Sequence, residues 1–199
     1  RITGERLRNE LALLLREPNA AGSFAVLQGR GILKAIHPAF SVPDDLAARF
    51  ERAKTEPMLT DEIDREDLKW CLLLANVPLD ALDDVCERLM FGKTLTQNIL
   101  NTARVAQNAN RLSDPNAKPS QIVRWLDGAD DLALTAARVV IEHSLAQERI
   151  WQYAEQWRAV RPITDGHALK ARGLKPGPCY AIVLTRLRKA WLDGEVTSE

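Results

Sequence analysis

Apolar residues along this chain recur with the period of a helix. Leu7, Leu11, Leu14 and Leu15 fall on one helical face, at i, i+4, i+7 and i+8. Thr3 is the expected N-cap, because its hydroxyl can accept from a free N–H of the first turn, and Pro18-Asn19 ends the run. A short segment from Phe24 to Ile36 is interrupted by Gly29 and Gly31, and its Ala25-Val26-Leu27 run suits helix or strand. His37-Pro38 forces an extended step. Asp44 to Lys54 predicts a further helix carrying Leu46 and Phe50, which Pro57 ends. Asp64 caps a strongly apolar helix through Leu68, Leu72 and Leu73. Pro78 begins the next, with Leu82, Val85 and Leu89 on one face and Gly92 beyond its end. Thr94 opens a longer one through Leu95, Ile99, Ala103 and Ala106, whose other faces are rich in Asn and Gln.

Ser113 to Pro119, with its Asp-Pro and Lys-Pro steps, is the clearest loop. Ser120 then caps a short helix through Ile122 and Trp125. A long helical tract runs from Asp130 to Val160, bending near Ser144, and Pro162 closes it. Asp165 caps a short helix over 166–171. Gly173-Leu174-Lys175-Pro176-Gly177-Pro178 forms a tight connector, and Pro178 suits the first turn of a last helix. That helix is expected to bury Tyr180, Val183, Leu184, Leu187 and Trp191 before Asp193-Gly194 stops it. No convincing alternation of period two occurs. The expected fold is all-α, an elongated multi-helix arrangement.

Composition fits a folded chain: 46% of the 199 residues are hydrophobic and 27% charged, which excludes a disordered tail. No stretch approaches the ~18 uncharged apolar residues of a membrane span. Three scattered cysteines, with no Cys-x-x-Cys pair, support neither a disulfide framework nor a zinc site, and fit a reducing cytoplasm. The chain opens on Arg1 inside a helix start, and is expected to be a piece of a longer one. The net charge is zero, 27 Lys and Arg against 27 Asp and Glu, which excludes a polycation. That average conceals a division. Residues 1–43 hold six basic and three acidic side chains, 44–90 six and thirteen, 91–149 seven and six, and 150–199 eight and five. Acid is concentrated in one stretch, and base at the two ends.

Catalytic chemistry is hard to find. His37, His143 and His167 lack a second histidine or an aspartate at metal-ligand spacing. Asp44-Asp45, Asp83-Asp84 and Asp130-Asp131 lie at or near predicted helix starts, where the helix dipole stabilises negative charge by about 0.3–1 kcal/mol. Asp61-Glu62-Ile63-Asp64 precedes a helix, whereas two-metal phosphoryl transfer needs carboxylates spaced to bridge ions. There is no Gly-x-Ser-x-Gly elbow, no Walker loop and no Gly-x-Gly-x-x-Gly.

Two features remain. At the start, Arg1, Arg6 and Arg8 gather positive charge at a helix N-terminus, where the dipole disfavours it. They are either ordinary surface pairs with Glu5 and Glu10, or they dock onto a neighbouring domain or a phosphate. At the other end, a helix–turn–helix with a Pro-Gly turn can aim backbone N–H groups, that of Gly177 among them, at a phosphate. Lys170, Arg172 and Lys175 flank this turn, and Arg186, Arg188 and Lys189 lie off the apolar stripe of the last helix. The alternative is a Gly/Pro connector with solvated charges.

Both features resemble one family, the class II tRNA nucleotidyltransferases (CCA-adding enzymes) and the related bacterial poly(A) polymerases. Arg1-Ile2-Thr3-Gly4-Glu5-Arg6-Leu7-Arg8-Asn9-Glu10-Leu11 is similar to the family's last shared motif, in the neck. Pro18-Asn19 and Gly31-Ile32-Leu33 resemble the following turns; Trp70 to Leu74 and Arg88 to Gly92 resemble two body helices. Asp165-Gly166-His167-Ala168-Leu169, then Gly173 to Pro178, then Ala190-Trp191-Leu192-Asp193-Gly194-Glu195 resemble the tail, the most specific set. The resemblance implies the end of a neck over 1–37, a helical RNA-binding body over 38–161 and a helical tail over 162–199. It implies a tRNA or other structured RNA as partner, together with a catalytic head elsewhere in the parent protein. It implies no catalytic residue, metal or cofactor in this piece, whereas the parent would need magnesium with CTP or ATP. The piece is expected to be inactive alone, cytoplasmic and away from membranes. Cys179 departs from the basic or small residue expected after the Pro-Gly-Pro. Some family members carry a metal phosphohydrolase dyad, and the missing His-Asp pair argues against one here. A different reading of the same residues is a non-catalytic helical module that binds a protein through its acidic stretch.

Overall fold

The computed structural model describes residues 3–175 and 177–197. Thirteen α-helices and one 3-10 turn follow one another, with no strand among the described residues. They are α1 (Gly4–Arg16), α2 (Ala20–Gly29), α3 (Ile32–Ile36), α4 (Leu46–Lys54), α5 (Arg65–Leu74), α6 (Leu79–Arg88) and α7 (Lys93–Gln107). There follow α8 (Ala109–Leu112), α9 (Pro119–Leu126), α10 (Asp131–Val140), α11 (Ser144–Glu155), the 3-10 turn Trp157–Ala159, α12 (Gly166–Ala171) and α13 (Pro178–Leu192).

The centre is a trio. Helices α5, α7 and α10 pack on one another. Leu68, Trp70, Cys71, Leu72, Leu73 and Leu74 of α5 are all buried, so the C-terminal half of this helix is apolar all round. Trp70 meets Phe91 edge-on, with ring centroids 4.9 Å apart. A first core joins Leu11, Leu15, Phe24 and Leu33 of the opening helices to α4–α7 and one side of α10. Residues on both sides of position 37 share it. A second core gathers Val105, Leu112, Ile122, Leu126, Leu134, Ile150 and Tyr153, with Leu192 of the last helix at its edge.

The expected caps at Thr3, Asp64, Asp130 and Asp165 form: each side chain accepts from backbone N–H groups of the first turn. Four other expectations need correction. Helix α7 starts at Lys93 with Gly92 as its N-cap, so Thr94 lies inside it. The left-handed residue that ends α6 is Met90, at φ 54°, not Gly92. Phe91 N–H donates to the Cys86 carbonyl and Met90 N–H to that of Glu87, the paired bonds of a Schellman turn. Ser120 does not cap α9, because Pro119 already occupies its first position and Lys118 precedes it. The tract from Asp130 to Val160 breaks before Ser144, at the expected bend, but it is not one helix: α10, an extended break after Val140, α11 and the 3-10 turn follow one another. Of the aspartate pairs, Asp130-Asp131 and Asp44-Asp45 lie at helix starts as expected, and the other does not. Asp83-Asp84 sits in mid-α6, and Asp45 pairs with Arg49 and Arg52 without capping α4.

Helix α13 departs furthest. None of its residues is buried, and Ile182 is 57% exposed. Tyr180, Val183, Leu184, Leu187 and Trp191 are half-buried; among the described residues the main packing partner of the helix is α9, with Tyr180 against Gly166 of α12.

Candidate nucleic-acid interface

Gly4, within the opening motif, carries no Cβ for a reason: one there would stand 2.2 Å from the Arg88 carbonyl oxygen. Helix α1 therefore abuts the end of α6 directly. Arg8 closes the contact by donating to the Met90 carbonyl at that same C-terminus, where a cation is favoured. Arg6 is exposed and makes no ion pair among the described residues, and Arg1 lies outside them. Glu5 stands 4.0 Å from Arg8.

Arg8 is one of a series. Arg49 Nη1 donates to the Leu72 carbonyl (3.1 Å) and Arg52 Nε to that of Val139 (3.2 Å). Arg104 reaches the Trp125 and Asp127 carbonyls (2.7 and 3.2 Å). Lys69 Nζ reaches the Leu15 carbonyl (2.5 Å). Arg149, only 8% exposed, donates to the carbonyls of Leu112 (2.7 Å), Asp114 (2.6 Å) and Ala117 (3.3 Å), which pins the loop after α8. Helix C-termini leave carbonyls without intrahelical partners, and the body's arginines take them up.

The tail is different. Lys170, Arg172, Lys175, Arg186 and Lys189 are exposed, and none makes an ion pair among the described residues. Gly177 is extended, at φ 171°, and begins α13; Pro176 lies outside the described residues. Within the turn, Tyr180 Oη donates to the Leu174 carbonyl (2.8 Å) and its ring lies against Gly166, so α12 and the start of α13 brace each other. Cys179 Sγ is 3.8 Å from the Lys175 carbonyl.

Arg188 stands apart from the other tail cations. Its Nε donates to the Val160 carbonyl (3.1 Å) and its Nη1 pairs with Asp127 (3.0 Å). Asp127 also accepts from Tyr153 Oη (3.0 Å), whose pKa is pushed up to about 12 by burial and by that carboxylate. One helical turn on, Asp193 takes the cap that α9 lacks. It accepts from Ser120 N–H (2.9 Å) and Ser120 Oγ (2.9 Å), a cap supplied from a distant part of the chain. Lys118 pairs with Glu195 (3.1 Å) beside it. The Trp-Leu-Asp-Gly-Glu run thus docks the tail to the body.

Sequence reasoning missed Arg124 on the outer face of α9 and Arg111 over the Trp125 ring (6.0 Å). The signal was the i, i+3 spacing of polar Gln121 and Arg124, opposite the buried Ile122 and Leu126. Arg30, Lys34, Arg65 and Lys93 are further exposed cations without an ion pair among the described residues. No group of three His, Cys, Asp or Glu side chains among the described residues could hold a metal ion, so no residue here is assigned to the magnesium expected of a whole nucleotidyltransferase.

No family model matches the chain. A search of curated proteins finds an A-adding tRNA nucleotidyltransferase of Geobacter sulfurreducens, 24% identical over 212 residues, covering all of this chain and 24% of that one. The chain is homologous to that enzyme. Among solved structures, the Thermotoga maritima CCA-adding enzyme complexed with tRNA superposes with a TM-score of 0.70 at 18% identity, over 100% of this chain and 49% of that one. A CCA-adding enzyme in complex with ATP gives the same values. A tRNA-processing enzyme in its apo form gives a TM-score of 0.58 at 16% identity, over 96% of this chain and 49% of that one. The fold is therefore the one these enzymes carry in about half of their length. The chain spans about a quarter of the curated relative and about half of each solved one. No helix among the described residues is long and apolar enough to cross a membrane.

Proposed function

We infer that this chain binds and positions tRNA, or a similar structured RNA, for a nucleotidyltransferase that acts on the RNA 3′ end. The observation that supports this most is the state of the tail cations. Lys170, Arg172 and Lys175 beside the α12–α13 turn, and Arg186 and Lys189 further along α13, are exposed and make no ion pair among the described residues, while Arg49, Arg52, Arg104 and Arg149 of the body are held by carbonyls. Cations left unpaired on a surface are those that can displace counterions from phosphates. Gly177 presents its backbone at the start of α13, where N–H groups lack helical partners. Arg188 acts by holding α13 in place, and Arg8 by holding α1. Arg6, with Arg1, serves docking to a further domain or a phosphate.

The regions 1–37, 38–161 and 162–199 act as neck, body and tail, with the first two sharing one core. The parent's chemistry belongs to a catalytic head with magnesium and CTP or ATP. Its setting is the cytoplasm.

The test is filter binding of the purified chain to tRNA at low salt. Micromolar or tighter binding that falls steeply with added salt is expected, and Lys170, Arg172 and Lys175 changed together to Ala should weaken it about tenfold or more at low salt. Absence of tRNA binding at low salt, with a protein partner recovered instead, would favour the helical interaction module.

A further inference from the structure

Two arginines of the body differ from the series that carbonyls hold. Arg111 of α8 is exposed, makes no ion pair among the described residues, and lies over the Trp125 ring of α9, with its guanidinium carbon 6.0 Å from the ring centroid. Arg124, beside Trp125 on α9, is exposed and likewise makes no ion pair among the described residues. The backbone that carries them is fixed from below. Arg149 donates to the carbonyls of Leu112, Asp114 and Ala117, in the segment that joins Arg111 to α9. Arg104 donates to the carbonyl of Trp125 itself (2.7 Å) and to that of Asp127 (3.2 Å), and Asn108 Nδ2 donates to the Arg104 carbonyl (2.8 Å). The Trp125 ring is half-buried and packs against the second core.

This arrangement suits a nucleobase better than a phosphate alone. A guanidinium is planar, and one that sits over an indole keeps N–H donors at its edge and a second π-face for another partner. The edge can meet phosphate oxygens, and the second face can take a base that has left its own stack. The indole limits the freedom of the side chain beforehand, so less is lost when a base arrives. A lysine at the same position would supply the charge without the plane. Arg104 and Arg149 hold the frame, whereas Arg111 spends none of its donors on the fold.

Resting on the RNA-binding role inferred above, we propose that Arg111, positioned by Trp125, stacks on an unpaired nucleobase of the bound RNA, with Arg124 on a neighbouring phosphate, as a second contact made by the body. Filter binding of the full 199-residue chain to tRNA, and to a fully paired RNA duplex with the same number of phosphates, tests it. Arg111→Lys keeps the charge and loses the plane. It should weaken tRNA binding about fivefold or more and leave duplex binding unchanged. Trp125→Leu should weaken tRNA binding to a similar extent, and Trp125→Phe, which keeps an aromatic face, should retain most of it. Lys54→Met removes an exposed cation already paired with Glu51 and should change neither affinity. The Arg111 side chain is exposed, so Arg111→Lys should melt with the wild type, and its loss of binding is then not unfolding. The proposal is overturned if Arg111→Lys binds tRNA as the wild type does, if it loses duplex binding equally, or if Lys54→Met weakens tRNA binding as much. A chain that binds tRNA through Lys170, Arg172 and Lys175 but is indifferent to Arg111→Lys keeps the tail's role and loses this one. A wild-type chain that does not bind tRNA loses both.

Discussion

Body and tail use the same residue type in opposite ways. In the body, Arg49, Arg52, Arg104 and Arg149 point at carbonyls left open by helix ends, and two of them are nearly buried. In the tail, Lys170, Arg172, Lys175, Arg186 and Lys189 face solvent on a helix pair with little buried surface. A count of basic residues cannot separate these roles. Whether a cation stabilises the fold or remains available to a polyanion depends on whether a carbonyl or carboxylate already holds it. The fixed point between the regions is Asp127 with Arg188, and Asp193 with Ser120.

The contrast predicts a graded series of stability losses. Leu72→Ala, at a fully buried position of α5, should cost about 2–5 kcal/mol in denaturant unfolding. Ile182→Ala, on the exposed side of α13, should stay within about 0.5 kcal/mol. Equal losses would mean that the tail is as well packed as the body. Next in size is Arg149→Met, which leaves three carbonyls without their donor and should cost about 1–3 kcal/mol, whereas Lys170→Met changes stability by no more than about 0.5 kcal/mol. Asp193→Ala removes the borrowed cap of α9 and should cost about 1 kcal/mol. Its sharper signature is faster amide exchange in α13 with α5 unchanged.

The smallest effect is with pH. Burial alone would raise the pKa of Asp45, but hydrogen bonds and charge from Arg49 and Arg52 outweigh it and hold the carboxyl below its ordinary value. The folded state therefore binds the Asp45 proton less readily than the unfolded chain does. Its stabilising contribution is complete above the ordinary aspartate pKa of about 3.9 and is lost as pH falls through the lower folded value. In Asp45→Asn, that part of the decline in melting temperature between pH 5 and pH 3 should disappear. An unaltered pH profile would show that the pair adds nothing.

Much of the helical order was legible because period and caps agree: Thr3, Asp64, Asp130 and Asp165 each precede an apolar face and each accepts first-turn N–H groups. What escaped the sequence depends on contacts far along the chain. Ser120 looked like a cap, yet the cap of α9 comes from Asp193, 73 positions away. The apolar stripe of α13 looked like a core face, yet no residue of the helix is buried among the described residues. Arg188 looked equivalent to Arg186 and Lys189 until Asp127 and the Val160 carbonyl were seen to hold it.

The most direct test of the central claim is the salt dependence of tRNA binding. Each phosphate contact contributes a slope of about −0.7 to −0.9 to log K against log salt. Changing Lys170, Arg172 and Lys175 to Ala together should flatten the wild-type slope by about 2–3, while Arg52→Ala leaves it as it was. A triple variant with the wild-type slope, or an Arg52→Ala variant that flattens it equally, would contradict the division between cations that hold the fold and cations that hold RNA.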